Sequence, residues 1–337
     1  MKKILVFLMS LLLLQTCLIA ENLEAEKLIS IVKSDNHQTK LKLESTQLTL
    51  KESIQNNQEV KEIKLQGVEN STVFNGMPEL PILGTLIAIP PQGNFNVTFT
   101  YDSVDIIPLN NPKLYYAEEG ALPVTIEAQN LFPENFVSFS EPAILRDFRV
   151  IQLNIYPCQY DFTKQQLRYY HNIQVHINYT TDKGINELPF ESYDNYSYVF
   201  QNIYEAQIAN FDEYRNPLIA PEQGRILLIY GNTTDANFLT KLNEFVTWKR
   251  QKGYEVNVVS TAQTGGTSNT SIKNYIQNQY DNPETRPDYI ILLGDTTGSY
   301  IIPTWYENYS NYNGEGDYPY THLAGNDTLG DVFIGRI

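Results

Sequence analysis

The apolar residues of this chain change their spacing part-way along it, and that change restricts the folds it can adopt. From about residue 41 to about residue 182 the dominant period is two. Phe95, Val97, Phe99 and Tyr101 alternate with Asn96, Thr98 and Thr100, and Ile173, Val175, Ile177 and Tyr179 alternate with Gln174, His176 and Asn178. Leu41 with Leu43, Leu48 with Leu50, and Leu153 with Ile155 repeat the pattern. Side chains two apart share one face of a strand, so alternation marks half-buried antiparallel strands. Pro78, Pro81, Pro90, Pro91, Pro108 and Pro112 interrupt these runs with turns. Many short strands with turns between them predict a β-sandwich.

Near residue 196 the period lengthens. Tyr198, Phe200, Ile203, Ile208 and Phe211 fall on a helical stripe, and Pro217, Pro221 and Gly224 then read as a linker. Beyond it, Ile226 to Ile229 is a continuous apolar run, the mark of a strand covered on both faces. Asp235 is placed to cap a helix whose stripe is Phe238, Leu242, Phe245 and Val246, and Gly253 stands where such a helix ends. A second strand over 254–259, a second stripe of Ile272, Tyr275, Ile276 and Tyr280, a third strand over 289–293 and a fourth over 331–336 follow. This succession predicts a mostly parallel open sheet with right-handed crossovers. The expected organisation is therefore residues 1–20 as a leader, 21–215 as a β-rich domain, 216–224 as a linker and 225–337 as an α/β domain. The segment 213–224 is expected to be cut first in limited trypsinolysis, because linkers between compact units are exposed. First cuts inside 95–180 would contradict that boundary.

The start of the chain bears on the compartment. Lys2 and Lys3 precede the apolar run Ile4–Leu14, and Cys17-Leu18-Ile19-Ala20 reads as a cleavage zone before Glu21. This is a signal-peptide pattern over 1–20, too short for a membrane span. Gln15 and Thr16 fit a lipid-attachment motif at Cys17 badly, so the expectation is a secreted or cell-surface protein rather than a lipoprotein. The net charge of −15 over 337 residues argues against a non-specific nucleic-acid binder, which needs a basic face.

Few residues offer catalytic chemistry. Cys17 and Cys158 are the only cysteines, and the four histidines form no HExxH pair, which excludes a zinc ribbon and disfavours a zinc hydrolase. Thr264-Gly265-Gly266-Thr267 precedes a helix but lacks the lysine of a phosphate-binding loop. Cys158 and His171 sit in alternating strands and read as a packed thiol and a surface imidazole rather than a nucleophile and base. Asp295 leaves the carboxyl end of a buried strand, where open α/β sheets bind ligands. Asp327 and Asp331, in Gly325-Asn326-Asp327-Thr328-Leu329-Gly330-Asp331, form an acidic glycine-containing loop of a kind that suits a hard cation such as calcium.

Taken together, Ile291-Leu292-Leu293-Gly294-Asp295, Ala324-Gly325-Asn326-Asp327 and Asp331-Val332-Phe333-Ile334-Gly335-Arg336 resemble the start of a gingipain-type cysteine peptidase catalytic domain. Phe245-Val246-Thr247-Trp248-Lys249 with Gly253 is similar to the same family, and Pro78-Glu79-Leu80-Pro81 with the strand near 149–157 resembles its β-rich propeptide. The resemblance implies a secreted cysteine endopeptidase precursor acting on protein or peptide substrates, with a propeptide that packs on a caspase-like α/β catalytic domain. It also implies that the catalytic His and Cys lie downstream of the Gly335-Arg336 strand. No residue of this chain matches the dyad, and the α/β domain reads as truncated and inactive alone. A structural calcium is implied, held by the side chains of Asp295, Asp327 and Asp331 and the carbonyls of Ala324 and Leu329. The expectation is that Asp295 and the 324–331 loop meet at one sheet edge. The alternative is a non-catalytic secreted or surface binding protein that reuses the fold.

Overall fold

The computed structural model describes residues 28–117, 130–309 and 312–337. The signal-peptide reading over 1–20, including Cys17, lies outside them. The chain divides into two compact units. One comprises residues up to Pro142 together with Val150–Glu187 and Ile203–Tyr214, and the other comprises Ala143–Arg149, Leu188–Asn202 and Arg215–Ile337. Among the described residues no helix is long and apolar enough to cross a membrane.

The first unit is built from antiparallel sheets, as the period of two requires. One sheet orders the strands Ile29–Ser34, Gln38–Leu43, Ile173–Thr180 and Asn94–Thr100. Another orders Ser103–Pro108, Gln166–His171, Cys158–Asp161 and Leu131–Phe132. In the central strand Ile173, Val175 and Ile177 are buried, while Gln174 and His176 face outward. Leu41 lies opposite Val175, so the two apolar faces register together. Ile173, Val175, Ile177, Leu41, Leu153, Leu167 and Cys158 belong to one core to which several sheets contribute, which is the sandwich type of packing. Each such fully buried aliphatic side chain contributes about 1.5–3 kcal/mol. The hairpin Leu48–Gln55 with Gln58–Leu65 turns through Asn56 and Asn57 at φ of 50° and 60°. Two consecutive positive φ values make a two-residue turn whose twist matches the strands, and asparagine tolerates them best after glycine. At one sheet edge the Asn210 amide stands in for a strand. Its Oδ1 accepts from the Ala88 N–H at 2.8 Å and its Nδ2 donates to the Ala88 carbonyl at 2.9 Å.

The second unit holds a four-stranded sheet in the order Glu255–Ser260, Arg225–Tyr230, Tyr289–Leu293, Phe333–Arg336, and every pair is parallel. The helix Ala236–Gln251 packs Leu242 and Val246 on Ile226, Leu228 and Val256. The helix Asn269–Asp281 packs Ile272, Ile276 and Tyr280 on Leu227, Ile229, Ile290 and Leu292. Opposite faces of the strand Arg225–Tyr230 are thus covered by different helices, which is why Ile226 to Ile229 shows no alternation. Asp235 caps the first helix, accepting from the Asn237 and Phe238 N–H groups, and these bonds hold its carboxyl below the usual range. Gly253 follows at φ 92°. Ser268 caps the second helix through the Ser271 N–H at 3.1 Å. Ser268→Ala is expected to lower stability by about 1 kcal/mol, read as a shifted urea midpoint at unchanged slope.

Two features depart from the sequence reading. A hairpin of Trp305–Tyr309 with Tyr312–Gly316 lies between the third and fourth strands, where no alternation of apolar residues announces it. In addition, Ala143–Arg149 and Leu188–Asn202 precede the linker in the chain, yet they group with the α/β unit.

Candidate functional site

The strands of a parallel sheet end together, and the loops leaving their carboxyl ends form one edge. Here that edge carries an open cavity of about 520 Å³ lined by Phe238, Leu293, Gly294, Asp295, Tyr300 and Arg336, among others. The chain leaving Leu293 turns back on itself, and the Ile302 N–H donates to the Asp295 carbonyl at 2.8 Å. Tyr300 is thereby laid across the edge. Its ring stacks on Phe238 at 4.7 Å with 13° between planes, and its hydroxyl donates to Asp235 Oδ2 at 3.0 Å.

Glycine makes this crossing possible. A Cβ on Gly294, whose φ is 155°, would stand 2.1 Å from the Tyr300 carbonyl oxygen, and one on Gly231 would stand 2.3 Å from the Tyr300 carbonyl carbon. Arg336 ties the edge together. Its Nε and Nη2 take both oxygens of Asp317 at 2.8 and 2.6 Å, and its Nη1 donates to the carbonyls of Gly294 and Ile302 at 3.0 and 2.9 Å. A bidentate guanidinium–carboxylate pair fixes direction as well as distance. Arg336 therefore positions the floor of the cavity. The strand Phe333–Arg336 delivers it there, and the 3.0 Å bond from the Gly294 N–H to the Ile337 carbonyl holds the strand's exit alongside.

The residues expected to bind calcium do not assemble. The third and fourth strands are parallel, with Tyr289 opposite Phe333 and Leu292 opposite Arg336. Asp331 precedes one strand and Asp295 follows the other, so they stand at opposite edges, roughly 20 Å or more apart at about 3.3 Å per residue. The expectation that they meet at one edge is corrected by this direction of pairing. Asp295 Oδ1 accepts from the Thr296 N–H at 2.7 Å. Asp327 accepts from the Leu329 N–H at 2.9 Å and from the Ile144 N–H at 2.8 Å. Asp331 is fully buried and accepts from three N–H groups: Leu323 and Ala324 at 2.7 Å each, and Arg146 at 3.1 Å. Ala324 and Leu329 thus turn N–H groups, which repel a cation, toward these carboxylates. Among the described residues no three of His, Cys, Asp and Glu gather as a metal site. In this arrangement Asp327 and Asp331 clamp backbone N–H groups of their own loop and of Ile144 and Arg146.

Cys158 is fully buried in the first unit, and burial pushes its thiol far above the ordinary value. A thiol that stays protonated is no nucleophile. His171 is held by Asp105 at 2.9 Å and Ser45 at 3.1 Å. In the 21–337 chain the single thiol is expected to react with an aromatic disulfide reagent roughly a hundredfold or more slower when native than when unfolded. Equal rates would contradict its burial.

Sequence reasoning missed Arg146, Asp288 and Asp317. Asp288 directly precedes the third strand and Asp317 follows the hairpin, but their partners, Arg146 and Arg336, are distant in sequence. Only an arginine or aspartate standing inside otherwise apolar surroundings, as in Ile144-Leu145-Arg146-Asp147-Phe148, hints at such a pairing.

Two family models match the chain in succession. Residues 22–219 match the family model for the C25 propeptide, and residues 219–337 match the model described as peptidase family C25. Gingipain R2 of Porphyromonas gingivalis is 29% identical over 210 residues, covering 61% of this chain and 26% of that protein. Gingipain R1 of the same species is 26% identical over 277 residues, covering 77% of this chain and 26% of that protein. A solved complex of the pro- and mature domains of RgpB from Porphyromonas gingivalis aligns at a TM-score of 0.43 and 21% identity, covering 55% of this chain and 97% of that one. The chain spans about a quarter of the length of these two curated gingipains. It belongs to the gingipain-type C25 cysteine peptidase family, carrying that family's propeptide followed by part of its catalytic domain.

Proposed function

We propose that this chain is the propeptide and leading part of the catalytic domain of a secreted cysteine endopeptidase, made as a zymogen. The observation that carries the reading is the order of the two family matches, which meet at residue 219. That point lies within the expected linker, where Leu218 is 89% exposed. Secretion rests on the Lys2-Lys3 and Ile4–Leu14 pattern. The reaction is attack of a thiolate on a peptide carbonyl, with an imidazole as acid and base and backbone N–H groups around the oxyanion. Cys158 is too buried to be that thiolate, so the nucleophile belongs to a part of the family's peptidase domain outside residues 219–337. The residues present here build the sheet edge from which such a site extends, and Arg336 and the two glycines fix its floor.

Labelling tests the assignment. The reading frame extended past Ile337 is treated with a thiol-directed peptidyl inhibitor and mapped by mass spectrometry. The label is expected on a cysteine after Ile337. Labelling of Cys158, or of no cysteine at any inhibitor concentration, would favour a non-catalytic surface protein on the same fold.

A further inference from the structure

Three segments with different positions in the chain converge where the strands of the parallel sheet begin. Arg146, in the range matched by the propeptide, is 4% exposed. Its Nη2 donates to Asp288 Oδ1 at 2.6 Å, and its Nη1 donates to the carbonyls of Asp331 at 2.7 Å and Pro287 at 2.9 Å. All three acceptors lie in the range matched by the peptidase. They flank two neighbouring strands, since the Phe333 N–H donates to the Asp288 carbonyl at 2.9 Å. One guanidinium thus bridges the loops that enter the third and fourth strands.

Both sides are shaped to receive it. Arg146 has a φ of 52°, unfavourable for a residue with a Cβ, and its N–H is fixed by Asp331 Oδ1. Its guanidinium carbon lies 4.6 Å from the Phe200 ring centre, and Phe200 stacks on Phe333 at 4.5 Å. Ser197, also from before the linker, donates from Oγ to Asp288 Oδ1 at 2.6 Å and from its N–H to Asp147 Oδ2 at 2.8 Å. The Ile144 N–H bonds Asp327. The charges around Arg146 are therefore Asp147, Asp288, Asp331 and, 3.8 Å from Asp147, Arg286. The linker is not part of this network and is exposed at Leu218.

We propose that Arg146 is the anchor by which the propeptide stays non-covalently attached to the peptidase unit after the linker is cut. This rests on reading the residues before 219 as a propeptide that is removed by proteolysis. The forked guanidinium suits the task, because a lysine ammonium cannot serve a carboxylate and two carbonyls of two loops in one plane. Its loss takes away the charged partner of Asp288, leaving only the neutral donors Ser197 Oγ and the Arg225 N–H, and truncation of such a buried, hydrogen-bonded charge weakens association about 30-fold or more.

The test places a site for a sequence-specific protease between Asn216 and Glu222 of the 21–337 chain and cuts it. Retention is measured by gel filtration and by dilution-driven dissociation. The wild-type halves are expected to co-elute. Arg146→Ala is expected to raise the dissociation constant about 30-fold or more, and Arg146→Lys about tenfold. Separation of the wild-type halves on cutting, or retention of Arg146→Ala as tight as wild type, would overturn the proposal. If Arg146→Ala does not fold before cutting, the Arg146→Lys chain decides, and wild-type retention in it overturns the proposal equally. The assay reads no peptidase activity. An extended protein without activity whose cut halves still depend on Arg146 would end the enzymatic reading and leave the anchor standing.

Discussion

Replacing Asp331 by alanine is expected to destabilise the α/β unit by about 3–5 kcal/mol, the range for removing one member of a buried charged network. The side chain is fully buried and accepts from the N–H groups of Leu323, Ala324 and Arg146. Alanine takes the Asp331 carboxylate away from two buried donors, the Leu323 and Arg146 N–H groups, and from the half-buried Ala324 N–H, and each buried donor left unsatisfied costs about 1–3 kcal/mol. Asparagine does not repair this, because its NH₂ must then face one of those donors. Urea unfolding followed by near-ultraviolet circular dichroism checks the result, and a loss below about 1 kcal/mol would contradict it.

The same carboxyl has a pH signature. Burial pushes it up to about 6 from 3.8, against the opposing pull of its N–H partners. A carboxyl whose folded value is raised binds its proton more tightly when folded. Its contribution to stability is therefore greatest below about pH 4, falls as pH rises toward 6, and is flat above that. Asp331→Ala should flatten that part of the stability curve between pH 4 and 6.

The second large effect is expected at Gly294. A methyl group there would meet the Tyr300 carbonyl oxygen at 2.1 Å, at a φ of 155° that side chains avoid. Neither partner is a flexible tip, so the backbone crossing the sheet edge must move. Gly294→Ala is expected to lower stability by about 2–4 kcal/mol, combining backbone strain with overpacking. It should also break the Phe238–Tyr300 stack, seen as loss of the nuclear Overhauser contacts between the two rings. Gly335→Ala is the control: a Cβ there meets nothing within 4 Å, and its effect should stay within about 0.5 kcal/mol. Comparable losses in the two variants would mean that the close approach at Tyr300 does not shape the edge.

What the sequence disclosed was periodic. Alternation at Ile173 to Tyr179 and the unbroken run Ile226 to Ile229 report how many faces of a strand are covered, and a single segment records that in its own residues. The cap at Asp235 is equally local. The hairpin near Trp305 was not legible, because tyrosine, asparagine and glycine there follow no apolar alternation. Nor was the assignment of Ala143–Arg149 to the α/β unit, which depends on Arg146 meeting Asp288, far away in the chain. The expectation that Asp295 and the 324–331 loop share one edge failed for a related reason. Asp295 and Asp331 both adjoin buried strands, but the side of the sheet each occupies follows from strand direction, which the spacing of carboxylates does not encode. Arg336 was visible as part of a family-like motif, while its grip on Asp317 and the Gly294 carbonyl required the fold.

Hydrolysis of a mixed peptide library tests the zymogen reading most directly. The reading frame extended past Ile337 is assayed with a thiol reductant before and after cleavage within 215–224, beside the 21–337 chain and its Cys158→Ala variant. The predicted result is turnover by the extended protein that rises on linker cleavage and is abolished by iodoacetamide, with none from either form of the 21–337 chain. Turnover by the 21–337 chain that disappears in Cys158→Ala, or an extended and cleaved protein with no thiol-dependent turnover, would contradict it.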